Sequence, residues 1–216
     1  MTLAKPEDKN PGVLQVRIES EQVLYRGYFR IKQYLLRHGL FRGGDSQLIR
    51  RELFCRGDSV GVLPYDPETD RVGLACQFRI GCVGNEAGPW VWEVIAGVND
   101  KNENSEAVAL RELREESGLV VDREQLLPIC RYYSSPGGSD ERLQLYCGIT
   151  RLFPGESIFG LEEENEDILF KTFDADAAIN AMLKGEINNA ATVIALQWLQ
   201  LNRQQLKERF CTRQPS

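Results

Sequence analysis

The sequence contains a single histidine, His38, among its 216 residues. One histidine nearly excludes a Ser-His-Asp triad and a histidine-rich metal site. The six cysteines include no C-x-x-C pair, so zinc-ribbon spacing is absent. Basic residues are fewer than acidic ones, 26 against 32, and the net charge is −6. This balance argues against a nucleic-acid partner bound through an overall positive field.

The chain also lacks a long apolar run. Its most apolar stretch, residues 190–201, is too short to span a bilayer and is interrupted by Gln197 and Gln200. Residues 1–12 are polar and do not contain the apolar segment of a signal peptide. Scattered cysteines in such a chain are typical of reduced, intracellular proteins. We therefore expect a cytoplasmic protein with no membrane partner.

The hydrophobic pattern predicts a layered α/β (α+β) protein with a small accessory lobe. Between residues 13 and 55, short strand-like runs separated by glycines predict an antiparallel β lobe. Alternating strand and helix patterns follow, and we place the boundary between residues 1–55 and residues 56–216. In the second part the pattern predicts a hairpin at 59–79, a strand at 90–97, a helix beginning at Asn104 or Ser105, two strands flanking 134–141, a strand at 169–174 and two terminal helices.

The most specific feature is residues 97–119, GVNDKNENSEAVALRELREESGL, spaced G-x5-E-x7-R-E-L-x-E-E-x-G-L. A chance match to its seven fixed Gly, Glu and Arg positions is on the order of one in a hundred million per start site. Glu112, Glu115 and Glu116 project to one side of the predicted helix. Arg111 offsets their mutual repulsion in part, and a divalent cation would do so more strongly. A solvated acidic surface is the alternative interpretation, and the flanking strand and closing glycine argue against it.

Residues 97–119 resemble the signature of the Nudix hydrolases at every defined position. The resemblance implies an α/β/α sandwich with a mixed sheet, which hydrolyses a nucleoside diphosphate linked to another moiety. The chain from about Leu24 to Leu206, more than four-fifths of its length, resembles the bacterial ADP-ribose pyrophosphatases of this family in a series of segments. These segments are LYRGYF, RRELF, GDSVGVLPYDP, QFRI, PWVWEVIAG, SPGGSDER, GLEEENEDI and INNAATVIALQWLQL. The implied reaction is the hydrolysis of ADP-ribose to AMP and ribose 5-phosphate.

The resemblance also implies a metal site. It would hold about two to three Mg²⁺ or Mn²⁺ ions. The implied ligands are the carbonyl oxygen of Ala96 and the carboxylates of Glu112, Glu116 and Glu166. Arg111 would orient the glutamates, and Glu115 would lie close to the metal.

The base that takes a proton from the attacking water would lie outside the signature, in the acidic loop. Glu164 is the implied base, because a carboxylate bound to metal cannot easily accept a proton. The loop is one glutamate richer than the family pattern, so Glu162 and Glu163 compete for this role. Without the resemblance, the same loop would be interpreted as a flexible acidic surface.

The implied substrate contacts are Arg51, Glu52, Arg79 and Glu141, with Tyr28 stacking on adenine. Arginine suits bidentate contacts to phosphate, although each of these charged residues could instead form a surface ion pair. In the family the stacking aromatic comes from the partner subunit, so a homodimer with an exchanged N-terminal lobe is implied. Tyr28 could alternatively pack within its own lobe. Residues 81–88, GCVGNEAG, match no family segment and could tune the choice of substrate.

Two other functions stay open. GDP-mannose or another nucleoside diphosphate sugar could replace ADP-ribose, because enzymes for such substrates resemble the chain over the same segments. A non-catalytic nucleotide-sugar sensor is the alternative of a different class. A sensor would be expected to lose the signature glutamates, and Glu112, Glu115 and Glu116 are all present.

Overall fold

The computed structural model describes residues 14–99, 103–161, 163 and 166–211. These residues form two compact units. The first unit contains the described residues up to Arg56 together with residues 135–141, and the second contains the remainder. The insertion of 135–141 means that the first unit draws on two separate parts of the chain, whereas the sequence pattern placed a single boundary after residue 55.

The first unit is built on a three-stranded antiparallel sheet, in the order β1-β2-β3. The strands are β1 Val16–Arg26, β2 Arg30–His38 and β3 Ile49–Cys55. The segment 135–141 joins this unit through backbone hydrogen bonds: the Phe54 N–H donates to the carbonyl of Gly138 at 2.8 Å. The predicted antiparallel lobe is therefore confirmed.

The second unit contains a mixed sheet whose central path runs β10-β11-β5-β4-β9-β8, with β6 on β5 and β7 on β4. Only the β4–β9 pair is parallel among the described strand pairs. The strands are β4 Asp58–Asp66, β5 Arg71–Phe78, β6 Trp90–Glu93, β7 Ile95–Asn99, β8 Leu126–Tyr133, β9 Arg142–Ile149, β10 Glu156–Phe159 and β11 Ile168–Asp174. The short strand β10 had no counterpart in the sequence pattern.

Three helices cover the two faces of this sheet. They are α1 Ser105–Ser117, α2 Ala175–Leu183 and α3 Ala190–Cys211. On β4, Val60 and Val62 pack in one hydrophobic cluster with α1, while Leu63 and Tyr65 pack in another with α2 and α3. This alternation along one strand buries both faces of the sheet, so the predicted α/β/α sandwich is confirmed. Among the described residues, no helix is long and apolar enough to cross a membrane.

The single strand predicted at residues 90–97 is wrong, because the chain breaks between β6 and β7. The two short strands pair with different neighbours, and β7 continues to Asn99. The break lies at Val94, whose buried N–H donates to the Thr192 hydroxyl in the first turn of α3 at 2.9 Å. The Asn189 side chain donates to the carbonyl of Trp92 at 2.7 Å. Side chains from the start of α3 thus replace sheet partners at the break.

A charged cluster ties the β4–β5 turn to α3. Asp70 adopts a left-handed conformation in this turn, with φ of 59°. Its carboxylate accepts hydrogen bonds from the Tyr65 hydroxyl at 2.9 Å and from Arg203 Nε at 2.8 Å, and Lys207 Nζ lies 2.7 Å away. Burial raises the pKa of Asp70, but the bonds from Arg203, Lys207 and Tyr65 outweigh it and lower the pKa to about 2.

Candidate active site

The helix α1 presents the acidic residues, and its ends are capped as the sequence predicted. The Asn104 side chain accepts a hydrogen bond from the Glu106 N–H at 2.9 Å, which satisfies one of the free amides of the first turn. At the other end, Gly118 has φ of 67°, and its N–H donates to the carbonyl of Arg114 at 2.9 Å. This left-handed cap favours glycine and stops the helix directly after the acidic residues.

Glu112 lies directly above Gly97 of β7. A Cβ atom placed on Gly97 would come within 2.1 Å of the Glu112 carboxyl carbon and 2.2 Å of one carboxylate oxygen. Contacts under 3 Å do not occur between such atoms, so any larger residue at position 97 would displace the carboxylate. The fixed spacing from the glycine to this glutamate therefore has a steric cause. It lets the strand pass close beneath the helix.

Glu116 is the most deeply buried acidic residue of the helix, with 3% of its surface exposed. One carboxylate oxygen accepts a hydrogen bond from the Ala96 N–H at 3.1 Å. Burial raises the pKa of Glu116 to about 8; the Ala96 amide opposes this rise, and the charges of Glu112 and Glu166 add to it. The charge of Arg79 also opposes the rise but does not cancel it.

Arg111 bridges the two flanking glutamates. Its Nη1 atom lies 2.9 Å from a carboxylate oxygen of Glu112 and 3.1 Å from one of Glu115. Arg111 thereby connects the two glutamates on one side of the helix. These contacts are consistent with the orienting role that the family resemblance implies for Arg111. The catalytic role of Glu115 stays a prediction.

The acidic loop is described only in part. Glu164, the implied base, and Glu162, one of its competitors, lie outside the described residues. Glu166 is described, and its N–H donates to the carbonyl of Leu161 at 3.2 Å. Its charge acts on Glu116, so it belongs to the same electrostatic environment. The role of Glu166 as a metal ligand stays a prediction.

Arg79, an implied substrate contact, forms an ion pair that the sequence did not reveal. Its Nε and Nη2 atoms both lie 2.7 Å from one carboxylate oxygen of Glu93 at the end of β6. Burial raises the pKa of Glu93, although Arg79 opposes that rise. The signal that could have identified Glu93 is a lone acidic residue within the apolar run WVWEV.

The remaining implied substrate contacts all lie in the first unit. Arg51 and Glu52 line a cavity of about 410 Å³ within it. Glu141 pairs with Arg56 at 3.0 Å, and Arg56 also lies over the ring of Phe29, 4.9 Å from its centroid. Arg56 was not predicted from the sequence, and a basic residue directly after a strand is a weak signal. The implied contacts are thus divided between the two units.

Tyr28 lies in the turn between β1 and β2, and 93% of its surface is exposed. Its ring meets the edge of Phe29 with the centroids 4.8 Å apart. With so little buried surface, Tyr28 adds little to the packing of its own lobe beyond this contact. The alternative interpretation, in which Tyr28 packs within its own lobe, is therefore disfavoured.

The donor set fits a hard divalent cation. Within the described part of the chain, no group of three His, Cys, Asp or Glu side chains is arranged to hold a metal by itself. Mg²⁺ needs only one or two carboxylates, because carbonyl oxygens, water and substrate phosphates complete its shell. Here Glu112 and Glu116 converge beside Ala96, and the nearby arginines do not hold the pKa of Glu116 in its usual range. A cation would offset the burial of Glu116.

Comparison with known families assigns the class of protein. The family model of the NUDIX domain matches residues 56–203. The chain therefore belongs to the Nudix family, as the pattern of residues 97–119 predicted.

Individual relatives within the family are named for particular substrates. The chain is 41% identical over 199 residues to ADP-ribose pyrophosphatase of Escherichia coli (strain K12), covering 92% of this chain and 94% of that protein. ADP-ribose pyrophosphatase of Haemophilus influenzae is 41% identical over 196 residues, covering 89% of each. GDP-mannose pyrophosphatase of Cronobacter sakazakii is 32% identical over 196 residues, covering 87% of this chain and 96% of that protein.

A solved structure, the crystal structure of an ADP compounds hydrolase, supports the fold. Its TM-score is 0.67, and the match covers 93% of this chain and 99% of that chain. The sequence identity is 19%, so this likeness bears on the fold alone.

Proposed function

We propose that this protein hydrolyses the pyrophosphate of ADP-ribose to AMP and ribose 5-phosphate. The observation that carries the proposal is the buried Glu116 carboxylate on the Ala96 amide, beside a Glu112 carboxylate seated on Gly97. Relatives named for ADP-ribose match at 41% identity, and those named for GDP-mannose match at 32%. This difference favours the adenine nucleotide.

The residues that would hold Mg²⁺ or Mn²⁺ are the carbonyl of Ala96 and the carboxylates of Glu112, Glu116 and Glu166. A bound divalent ion neutralises phosphate oxygens and lowers the pKa of a bound water. Mg²⁺ is the favoured ion, because phosphates and a few carboxylates suit its octahedral shell.

The protein's own side chains position the substrate and accept a proton from the attacking water. Arg111 keeps Glu112 and Glu115 in place through its two ion pairs. Arg79 offers a guanidinium to the phosphates, where positive charge stabilises the charge that develops during the reaction. Glu164 is proposed to accept the proton of the attacking water, with Glu162 and Glu163 as competitors.

A homodimer would complete the substrate site. The strand β1 is exposed along its whole length, and its apolar residues Val16, Ile18 and Tyr25 are each more than half exposed. An exposed strand with such side chains is a surface suited to pairing with a second copy. Tyr28, Arg51, Glu52 and Glu141 are proposed to reach substrate through this arrangement, and Tyr28 to stack on the adenine of the partner's site.

GDP-mannose is the second candidate substrate, because GDP-mannose pyrophosphatase of Cronobacter sakazakii matches over nearly the same length. A hydrolysis panel with Mg²⁺ tests both candidates, using ADP-ribose, GDP-mannose, NADH and diadenosine polyphosphates. We expect the highest kcat/KM for ADP-ribose, with AMP and ribose 5-phosphate as products. A preference for GDP-mannose would overturn the substrate assignment.

Three glutamine variants test the base. Glu164→Gln is expected to abolish turnover, while Glu162→Gln and Glu163→Gln stay active. If Glu164→Gln is active and one of the others is not, the base is that other residue.

The dimer is tested by solution mass, and a fully active monomer would contradict the composite site.

A further inference from the structure

Arg79 and Glu93 lie on the sheet face that carries the site. Arg79 follows β5 in an extended conformation, with φ of −128° and ψ of 112°. In the β5–β6 register, Ala75 pairs with Glu93 and Gln77 with Val91. Side chains alternate along strands, so Ala75, Arg79 and Glu93 share one face. Ala75 is buried in the hydrophobic cluster beneath α1, which identifies this face as the one that α1 covers.

The two partners of the ion pair are unequally exposed. The Glu93 side chain is 15% exposed and the Arg79 side chain 41%. The Nε and Nη2 atoms of Arg79 each lie 2.7 Å from the same carboxylate oxygen of Glu93. The guanidinium is therefore held on the side that faces the less exposed Glu93. Taking the Glu93 carboxylate out of water is unfavourable unless it is paired, and Arg79 provides the partner. Glu93 thus holds one side of the Arg79 guanidinium, while the rest of the Arg79 side chain is exposed to solvent.

Arg79 also acts on the acidic residues of α1. Glu116 of this helix lies within reach of its positive charge. An arginine without an anchor would be attracted to Glu112 and Glu116, where it would take the place of a cation. An arginine fixed by Glu93 can remain beside these carboxylates without collapsing onto them. It is then preorganised for an incoming phosphate, and less side-chain entropy is lost on binding.

We infer that Glu93 is a positioning residue of this enzyme, which holds the guanidinium of Arg79 toward the substrate phosphates and away from Glu112 and Glu116. This inference rests on the proposed diphosphate hydrolysis. Glu93 itself is not proposed to touch substrate or metal. It acts only through Arg79, and that property separates it from a catalytic acid.

A double-mutant cycle tests whether Glu93 acts through Arg79. For ADP-ribose hydrolysis, Glu93→Gln is expected to lower kcat/KM about tenfold or more and Arg79→Ala about a hundredfold. The double variant should match Arg79→Ala within about twofold, because Glu93 has nothing left to position. If the two losses multiply instead, Glu93 acts independently and the inference is overturned. Glu93→Asp keeps the charge on a shorter side chain and should fall between wild type and Glu93→Gln.

The matched control uses the other end of the same strand. Arg71 of β5 pairs with Asp174 of β11 at 2.6 Å, again across neighbouring strands. Asp174→Asn removes the carboxylate charge from that pair and should leave kcat/KM within about twofold of wild type, because it lies outside the site. An equal loss in Asp174→Asn and Glu93→Gln would show that any β5 ion pair matters for the sheet, and would contradict a specific role for Glu93.

A second measurement needs neither substrate nor metal. In ¹⁵N NMR of the free protein, the Arg79 Nε–H should give a resonance protected from solvent exchange, identified by its loss in Arg79→Lys. This protection should disappear in Glu93→Gln and persist in Asp174→Asn. A resonance still protected in Glu93→Gln would overturn the inference. If the wild type does not hydrolyse ADP-ribose, the proposed function fails while this measurement still judges the anchor.

Discussion

Two carboxylates of the second unit, the half-buried Asp70 and the buried Glu116, have opposite electrostatic environments. Asp70 is surrounded by Arg203, Lys207 and the Tyr65 hydroxyl, and its pKa falls to about 2. Glu116 has a single amide partner and acidic neighbours, and its pKa rises to about 8. The first arrangement stabilises the fold, because every charge is compensated. The second costs stability, and such an uncompensated group is typical of a site that awaits a ligand.

The largest effect is expected at the uncompensated carboxylate. Glu116→Gln keeps the side-chain shape but removes a proposed metal ligand, so kcat should fall on the order of a thousandfold. The free energy of unfolding should not fall, because a neutral amide is easier to bury than a carboxylate and can still accept the hydrogen bond from the Ala96 N–H. Steady-state kinetics and urea denaturation measure the two quantities. Full activity in Glu116→Gln would end the comparison, since Glu116 would then be no more functional than Asp70.

The next effect is steric and tests the seat of Glu112. Gly97→Ala places a Cβ within 2.1 Å of the Glu112 carboxyl carbon, so the carboxylate must move. We expect kcat/KM to fall about a hundredfold, because misplacement by an ångström is that costly in catalysis. Val98→Ala is the control, because this neighbouring side chain of β7 is half exposed and the change should leave kcat/KM nearly unaltered. A normal kcat/KM in Gly97→Ala would mean that the position of Glu112 is not critical.

At the compensated carboxylate, the effect should fall on stability alone. The Asp70 side chain is 23% exposed, and the shift of its pKa from 3.8 to about 2 corresponds to about 2 kcal/mol. This contribution is present above the unfolded-state pKa and is lost as pH falls from about 4 to about 2. Asp70→Asn should therefore be about 2 kcal/mol less stable than wild type at pH 7, and the difference should shrink toward pH 2.

Denaturation curves at several pH values measure this difference, and kcat measured on the folded protein is the control. A constant difference down to pH 2 would show that the Asp70 charge is not the cause. A fall in kcat would place Asp70 with Glu116 rather than opposite it.

The last effect, again on stability and of similar size, concerns the hydrogen bond at the strand break. Thr192→Val removes the acceptor of the buried Val94 N–H with little change in side-chain volume, and should cost about 1–3 kcal/mol. The melting temperature measures this loss. Thr150→Val, at a partly exposed position, is the control and should change little. An unchanged melting temperature in Thr192→Val would mean that another group satisfies the Val94 amide.

The features predicted from sequence are those determined by short spacings. The ends of α1, its acidic face and the glycine after it follow from residues within one segment. The anchor of Arg79 could not be found this way, because Glu93 lies 14 residues away on another strand. The Arg203–Asp70 contact spans 133 residues. The break at Val94 was missed for the same reason, since the group that replaces its strand partner comes from α3.

The Val94–Thr192 hydrogen bond has a consequence for how the site could be altered from a distance. Glu93 precedes this bond by one residue and Ala96 follows it by two, so the anchor of Arg79 and the carbonyl proposed as a metal ligand lie on either side of it. The start of α3 therefore fixes the backbone between these two segments of the site. A substitution or fusion that shifts this helix would move Glu93 relative to Ala96, and would thereby change turnover without altering any site residue.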